Sequence, residues 1–390
     1  MKKRFLIIGD ANSMHIYNFV KNILNDEKFE ISVMTLSSQR VREEYRNFYK
    51  KNKVTLYSIA EKYGKGKNLR NKTILDRLKN FIRKYKLAKS LPEFDICNIQ
   101  SVYKTSLLFY LQNKRKFKHL IASYWGGDIE DTSSLVLKLR KKCFAHADVV
   151  TVTTQDVLEK FKVIYKNCYD NKVRICRFAT AGIECIKDTF EKLGVEECKK
   201  QMHCPLDKLC VTVGYSAYED QHQDLIIEKI STLDQEIKDK LFISVPMQYG
   251  SCPKQYIDLV KEKAKNSGCE YVVLQEYATF EKKALEAIAT DLYIHMRDTD
   301  AFSNSLKEQV CSGSSIVVGS WLKYYELEQM NADFTYLDSF DKIPDVVLDV
   351  LKKKKEKQFF QPIYDMYSFE SVKKQWQEVF DVVLMEDKKQ

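Results

Sequence analysis

The residues best suited to chemistry stand in one run, Thr299-Asp300-Ala301-Phe302-Ser303-Asn304-Ser305-Leu306-Lys307-Glu308-Gln309. A short apolar run, Leu292 to Met296, precedes it, and a second, Ile316 to Val318, follows. That order predicts strand, polar loop, helix and strand of a parallel α/β sheet. Such sheets bind ligands at the carboxyl end of a strand and the amino end of the next helix. Free backbone N–H groups around Asn304 and Ser305 would face a ligand there, and the helix dipole favours a phosphate. Glu308, one turn further in, could reach neutral hydroxyls such as those of a ribose. The same residues admit a plainer reading, because Ser305-x-x-Glu308 is also a capping-box pattern that satisfies only its own helix.

Three other places offer candidate groups. His15 opens a helix after the loop Gly9-Asp10-Ala11-Asn12-Ser13-Met14, where it would act as a base, touch a sugar hydroxyl, or simply cap and pack. Tyr124-Trp125-Gly126-Gly127-Asp128 follows a predicted strand, His119 to Ser123. Asp128 beside those rings is the leading candidate for a general base, with an N-cap or turn role as the alternative. In the second half, Gly214-Tyr215-Ser216-Ala217 follows the predicted strand Lys208 to Val213, and its small residues would let phosphates approach.

The elements that position these groups repeat one rhythm twice. Strands are predicted at 4–8, 29–36, 94–100, 119–123, 147–153 and 173–178, and again at 208–213, 241–245, 272–274, 292–296 and 316–318. The stretch after Ile183 reads as charged and irregular, which puts the boundary near Pro205. A first domain would span 1–200, a second 205–365, and an amphipathic helix at 366–390 would pack back on the first. The opening strand, Gly-containing loop and helix are Rossmann-like, but a GxGxxG dinucleotide fingerprint is absent.

Composition narrows the class. A chain of 390 residues with 44% hydrophobic content is long enough for two cores. The net charge of +10 suggests an acidic partner such as a membrane surface, a phosphorylated substrate or nucleic acid. Segment 62–89 concentrates it in Lys65, Lys67, Arg70, Lys72, Arg77, Lys79, Arg83, Lys84, Lys86 and Lys89. Leu75, Leu78, Phe81, Ile82 and Tyr85 recur through it at helical spacing, a basic amphipathic helix that lies on anionic lipid or packs on its domain. Eleven cysteines without CxxC or zinc-ligand spacing argue for reduced thiols in a cytoplasm. The apolar run Phe5 to Ile8 is too short for a signal peptide or membrane span.

Two Rossmann-like halves facing a central cleft, closed by a C-terminal helix, describe the α/β architecture called GT-B. The second half resembles the bacterial 4-acetamido-4,6-dideoxygalactose (Fuc4NAc) transferase family that builds enterobacterial common antigen. The likeness lies in Val213-Gly214-Tyr215-Ser216, in Val245-Pro246-Met247-Gln248-Tyr249-Gly250 and in the run from Tyr271 to Met296. More loosely, Asp300 to Glu308 looks like the Glu-x7-Glu donor motif of large GT-B families, with Asp300 standing for the first glutamate. The resemblance implies a nucleotide diphosphate held by Gly214 and Ser216 on one side and Asn304 and Ser305 on the other. Glu308 would take the ribose hydroxyls, and Arg297 would offset diphosphate charge as the leaving group departs. Asp128 and His15 would face the acceptor.

The expectation is a glycosyltransferase of hexosyltransferase type, moving a sugar, a deoxy sugar among the candidates, from a nucleotide donor to a lipid-linked or cell-surface glycan. No bound metal or other cofactor is expected. The enzyme would sit in the cytoplasm at the inner membrane face, held by segment 62–89, and would not bind nucleic acid. A sugar-nucleotide 2-epimerase is the alternative on the same fold, and a basic non-enzymatic binding protein the more distant one.

Overall fold

The computed structural model describes residues 2–24, 27–64, 73–250, 253–300, 302–353 and 356–386. The chain divides into two compact units, residues 1–179 with 369–390, and residues 180–368. Lys65, Lys67, Arg70, Lys72 and Ala301 lie outside the described residues, as does the side chain of Arg77.

Among the described residues the first unit has seven strands: β1 (Lys3–Ile8), β2 (Phe29–Thr35), β3 (Thr55–Ser58), β4 (Phe94–Gln100), β5 (Phe117–Ser123), β6 (Val149–Val152) and β7 (Val173–Ile175). They pair in the order β3-β2-β1-β4-β5-β6-β7, and every described pair is parallel. The chain runs outward from β1 to one edge, then returns to β4 and runs to the other. Loops leaving β1 and β4 therefore part at one place, the switch point at which such sheets bind ligands. The continuous apolar runs of the inner strands follow from burial on both faces.

One face of that sheet is closed by the last helix, Phe369–Glu386. Val372, Trp376, Val379, Phe380 and Val383 recur at helical spacing and join the core formed by Phe5, Ile7, Phe19 and Phe29. Phe380 meets Phe5 and Phe29 edge-on, with centroids 5.7 and 5.3 Å apart. Trp376 lies 4.6 Å from Phe19 and is 1% exposed. The helix after β1 begins at Met14, capped by Ser13, and passes into a π-helical turn over Phe19–Ile23 instead of running on as one α-helix.

The described residues of the second unit form six strands: β8 (Leu209–Val213), β9 (Leu241–Pro246), β10 (Glu270–Leu274), β11 (Leu292–His295), β12 (Ser315–Gly319) and β13 (Phe334–Leu337). Their order is β10-β9-β8-β11-β12-β13, again with parallel pairs and a switch point, here between β8 and β11. The segment read as irregular before Pro205 is helical over Ala181–Gln201 and belongs to this unit. Thr180 caps it, and Ile183 and Ile186 are fully buried. Its many charged residues hide that apolar spacing in the sequence, and Gly194, at φ 69°, breaks the helix in the middle.

Replacing Trp376 by alanine should destabilise the first unit by about 3–5 kcal/mol, the usual cost of emptying a large aromatic site. Urea melts of the full chain would read this as an earlier transition. A midpoint equal to that of the wild type would show that the C-terminal helix is dispensable to this core.

Candidate functional site

In the second unit the parallel pairing of β8 and β11 sets the site. The Gly214 N–H donates to the carbonyl of Ile294 at 3.0 Å, which holds the loop after β8 against the end of β11. Gly214 has φ 65°, and a Cβ there would stand 3.0 Å from Gln221 Oε1 and 3.1 Å from Gln223 Nε2, so the turn needs glycine. Behind it, Gln223 donates to the carbonyls of Val213 and Pro246. Among the described residues, Ser216 Oγ, Gln223 Oε1 and the Tyr293 hydroxyl are buried and find no hydrogen-bond partner. Polar atoms orphaned beside a strand end are what a polar ligand or ordered water would satisfy.

Arg297 stands just past β11. Its Nε donates to Asp220 Oδ2 at 2.8 Å, its Nη1 to the Tyr215 hydroxyl, and its guanidinium lies 5.8 and 5.9 Å from the ring centroids of Tyr215 and Tyr218. His222 Nε2 and Asp298 Oδ1, 2.7 Å apart, make a second tie between the same two loops. The cation is thus held at the end of β11 and beside the Gly214 turn.

The helix after that loop is Asn304–Cys311, and Ser303 caps it by accepting the Leu306 N–H at 3.3 Å. Ser305 is not the cap, so the capping-box reading of Ser305 and Glu308 falls away. Glu308 turns inward and is 7% exposed. A Cβ on Gly182 would come within 1.9 Å of Glu308 Oε1, so the carboxyl group lies against the first turn of Ala181–Gln201. Burial raises its pKa to about 7, and Lys283 and Lys307 only partly oppose this. Gly214, Ser305 and Glu308 line one cavity of about 40 Å³, together with Gln248, Lys283 and Glu286. Ser216 and Asn304 stand on the flanking loop and helix end, outside its lining.

Asp300, the counterpart of the first motif glutamate, is engaged within the unit. Its Oδ2 accepts the Ser303 N–H and the Tyr324 hydroxyl, both at 2.9 Å, and lies 3.5 Å from His295 Nε2. Burial works to raise its pKa, but His295 and these donors bring it down to about 2. That carboxylate fastens its own loop.

Gln248, Lys283 and Glu286 carried no role in the sequence reading. Gln248 Nε2 donates to Glu286 Oε1 at 2.6 Å, and Lys283 Nζ sits 5.2 Å from the centroid of Tyr249. Burial raises the pKa of Glu286. Lys283 and Glu286 lie on the helix Phe280–Ala289, far along the chain from Gly214, and no motif links them to it.

In the first unit the Trp125 loop closes on Asp128. Asp128 is 1% exposed. Its Oδ1 accepts the N–H groups of Trp125 and Gly126 at 2.8 and 3.0 Å, and its Oδ2 accepts the Val102 N–H and Ser101 hydroxyl at 3.0 and 3.1 Å. Two of these bonds close the loop after β5 on itself, two tie it to the loop after β4, and no oxygen is left turned outward. Those bonds engage both oxygens of the carboxylate singled out in the sequence as the candidate general base. His15 is stacked 4.5 Å from Phe178 and meets Trp125 edge-on at 5.2 Å, a packed position at the start of its helix. Beside Trp125, at the carboxyl ends of β1, β2 and β4, lies a cavity of about 740 Å³. Asp10, Ser37, Gln100, Ser101, Tyr103 and Trp125 line it, with Asn80 and Lys84 from a neighbouring helix. Among the described residues no group of three or more His, Cys, Asp or Glu is placed to hold a metal ion.

No family model and no curated protein matches this sequence. Solved structures do. A glycosyltransferase from Rickettsia africae is similar at TM-score 0.69 and 11% identity, over 98% of this chain and 99% of its own. HepE of Anabaena, in complex with UDP and glucose, is similar at 0.63 and 11%, over 97% and 99%. The UDP-GlcNAc 2-epimerase of Neisseria meningitidis, bound to UDP-GlcNAc, is similar at 0.62 and 10%, over 99% and 100%. The chain has the GT-B fold. In GT-B terms, the Gly214 turn, Arg297 and Glu308 belong to the C-terminal Rossmann-like domain, and the 740 Å³ cavity to the N-terminal one.

The pKa of Glu308 gives a signed expectation. A folded-state value near 7, raised from 4.5, means that this group's contribution to stability is full below about 4.5 and is lost as pH rises through about 7. The loss would be about 3 kcal/mol. Glu308→Gln keeps the shape without the charge, so its stability should fall less than the wild type's between about pH 5 and about pH 8. Parallel pH dependences in denaturant melts would contradict a buried, protonated Glu308.

Proposed function

We propose that this chain is a glycosyltransferase that moves a sugar from a nucleoside diphosphate donor to a lipid-linked or cell-surface glycan. The observation that carries the reading is the convergence of Gly214, Ser305 and Glu308 on one cavity, beside an anchored Arg297. It stands in a fold of which HepE is a solved example with UDP and glucose. The donor's diphosphate would lie against the N–H groups of the Gly214–Ser216 loop and the Asn304–Ser305 helix start. Arg297 would neutralise the charge that grows on the leaving phosphate, an electrostatic contribution that needs no reorganisation because Asp220 and Tyr215 already hold the side chain. Glu308 would accept hydrogen bonds from the ribose hydroxyls. No metal takes part in this scheme.

The acceptor would enter the cavity of the first unit, whose lining of hydroxyl and amide groups beside Trp125 and Tyr103 suits a polyhydroxylated ligand. No helix among the described residues is long and apolar enough to cross a membrane. Attachment to the inner face of the cell membrane would therefore come from the surface, through the basic residues of segment 62–89. A second reading is a sugar-nucleotide 2-epimerase, prompted by the similarity to the Neisseria enzyme. Incubation with UDP-GlcNAc, followed by a search for the 2-epimer, separates the two.

The test is a thermal-shift screen against UDP, GDP, TDP and CMP. One nucleotide diphosphate should raise the melting temperature, since a ligand at a hundredfold excess over its Kd stabilises the native state by about 2.7 kcal/mol. The shift should shrink in Arg297→Gln and in Glu308→Ala. If folded protein responds to none of the four, the donor site is wrong.

A further inference from the structure

The helix Ile74–Lys89 turns its apolar side away from the protein. Leu75, Leu78, Phe81, Ile82 and Tyr85 are 67, 54, 56, 43 and 55% exposed. At about 100° per residue these five side chains fall on one arc. The opposite side holds the buried Leu87 and the two cavity-lining residues, Asn80 and Lys84, while the buried Ala88 stands at the edge of the arc. The usual arrangement of a surface helix is thus inverted, with the apolar arc outward. The helix keeps its start through a capping box: Thr73 Oγ accepts the Asp76 N–H at 3.2 Å, and Asp76 Oδ2 accepts the Thr73 N–H at 3.1 Å.

Charge decides what covers the arc. Lys79 and Lys86 run along one flank, with Arg83 beyond them, and Lys89 lies within the arc at its carboxyl end, its Nζ 5.0 Å from the centroid of Tyr85. A second copy of this chain would bring those cations against their own kind. An anionic surface with an apolar layer beneath it satisfies both features at once, and Tyr and Lys are side chains that favour such a boundary.

We propose that Ile74–Lys89 is a membrane-insertion helix: its apolar arc enters the acyl boundary of an anionic bilayer. This deepens the attachment proposed above, from adsorption of basic residues to burial of Leu75, Leu78, Phe81, Ile82 and Tyr85. The same helix walls the 740 Å³ cavity through Asn80 and Lys84, so insertion holds that cavity at the level of the head groups. The polar head of a lipid-borne acceptor would enter it while the tail stays in the bilayer. That last step rests on the transferase reading; the insertion does not.

The experiment is co-sedimentation of the full-length protein with vesicles of phosphatidylethanolamine and phosphatidylglycerol. It is run at about 0.1 M and about 0.5 M salt, the higher of which screens surface attraction to within a few ångströms. Binding should weaken but persist at the higher salt. The double variant Phe81→Gln/Ile82→Gln should lower partitioning by at least about tenfold. Its melting temperature should match the wild type's, because both side chains point outward. In Phe81→Trp, emission above the wild-type background should shift to the blue on vesicles and be quenched by brominated acyl chains.

Four results would overturn the proposal: no binding by the wild type, complete release at the higher salt, equal binding by the double variant, or an unshifted Trp emission. Self-association that the double variant abolishes, without vesicle binding, would assign the arc to a second copy and overturn it too. No nucleotide is present, so failure of the donor-site screen would leave the vesicle result standing.

Discussion

The second unit depends on β8 lying between β9 and β11. Parallel pairing puts the carboxyl ends of β8 and β11 side by side, although about eighty residues separate them in the chain. The Gly214 N–H bond to Ile294, the Arg297 bonds to Asp220 and Tyr215, and the His222–Asp298 contact follow from that adjacency. Without it, Gly214, Ser305 and Glu308 would not line one cavity. The first unit repeats the constraint with β1 between β2 and β4, and its 740 Å³ cavity opens at the same end. A doubly wound sheet makes a site first by topology and only then by chemistry.

Three carboxyl groups illustrate how environment assigns the chemistry. Asp128 accepts four hydrogen bonds and becomes a loop fastener. Asp300 has Tyr324, Ser303 and His295 around it and is held ionised well below the usual carboxylate range. Glu308 is also buried, but the nearest charges only partly compensate, so its pKa moves up where that of Asp300 moves down. Burial is common to all three. The number and geometry of donors determine which becomes a tether and which stays available to a ligand.

Much of the framework was legible in the residues. The inner strands show as apolar runs, because burial on both faces leaves little room for polar side chains. The final helix shows through Val372, Trp376, Val379 and Phe380 at helical spacing. The edge strands β3 and β13 did not show, since each is four residues long and carries polar side chains. The helix Ala181–Gln201 was hidden by its charged surface and by Gly194. Ser303 and Ser305 are equally good caps on paper, and only the path of the chain from Asp300 selects the first. Nothing in the sequence singled out Lys283 and Glu286 within the run from Tyr271 to Met296, because what brings them to the site is the packing of Phe280–Ala289 beside Asn304–Cys311.

The residues by themselves determined the α/β class, the alternation of strand and helix, the position of the loop before Glu308 and the basic amphipathic character of 74–89. These are local properties, written in periodicities of two and 3.6 residues and in the chemistry of turns. Tertiary structure alone decided the rest. It turned the apolar arc of Ile74–Lys89 outward, which periodicity cannot do because it fixes a face but not what the face meets. It occupied Asp128 and Asp300 with partners from other loops, and it laid Glu308 against Gly182, a residue more than a hundred positions away. Whether a charged side chain is a site or a strut depends on what approaches it in space, and that is a property of the folded chain.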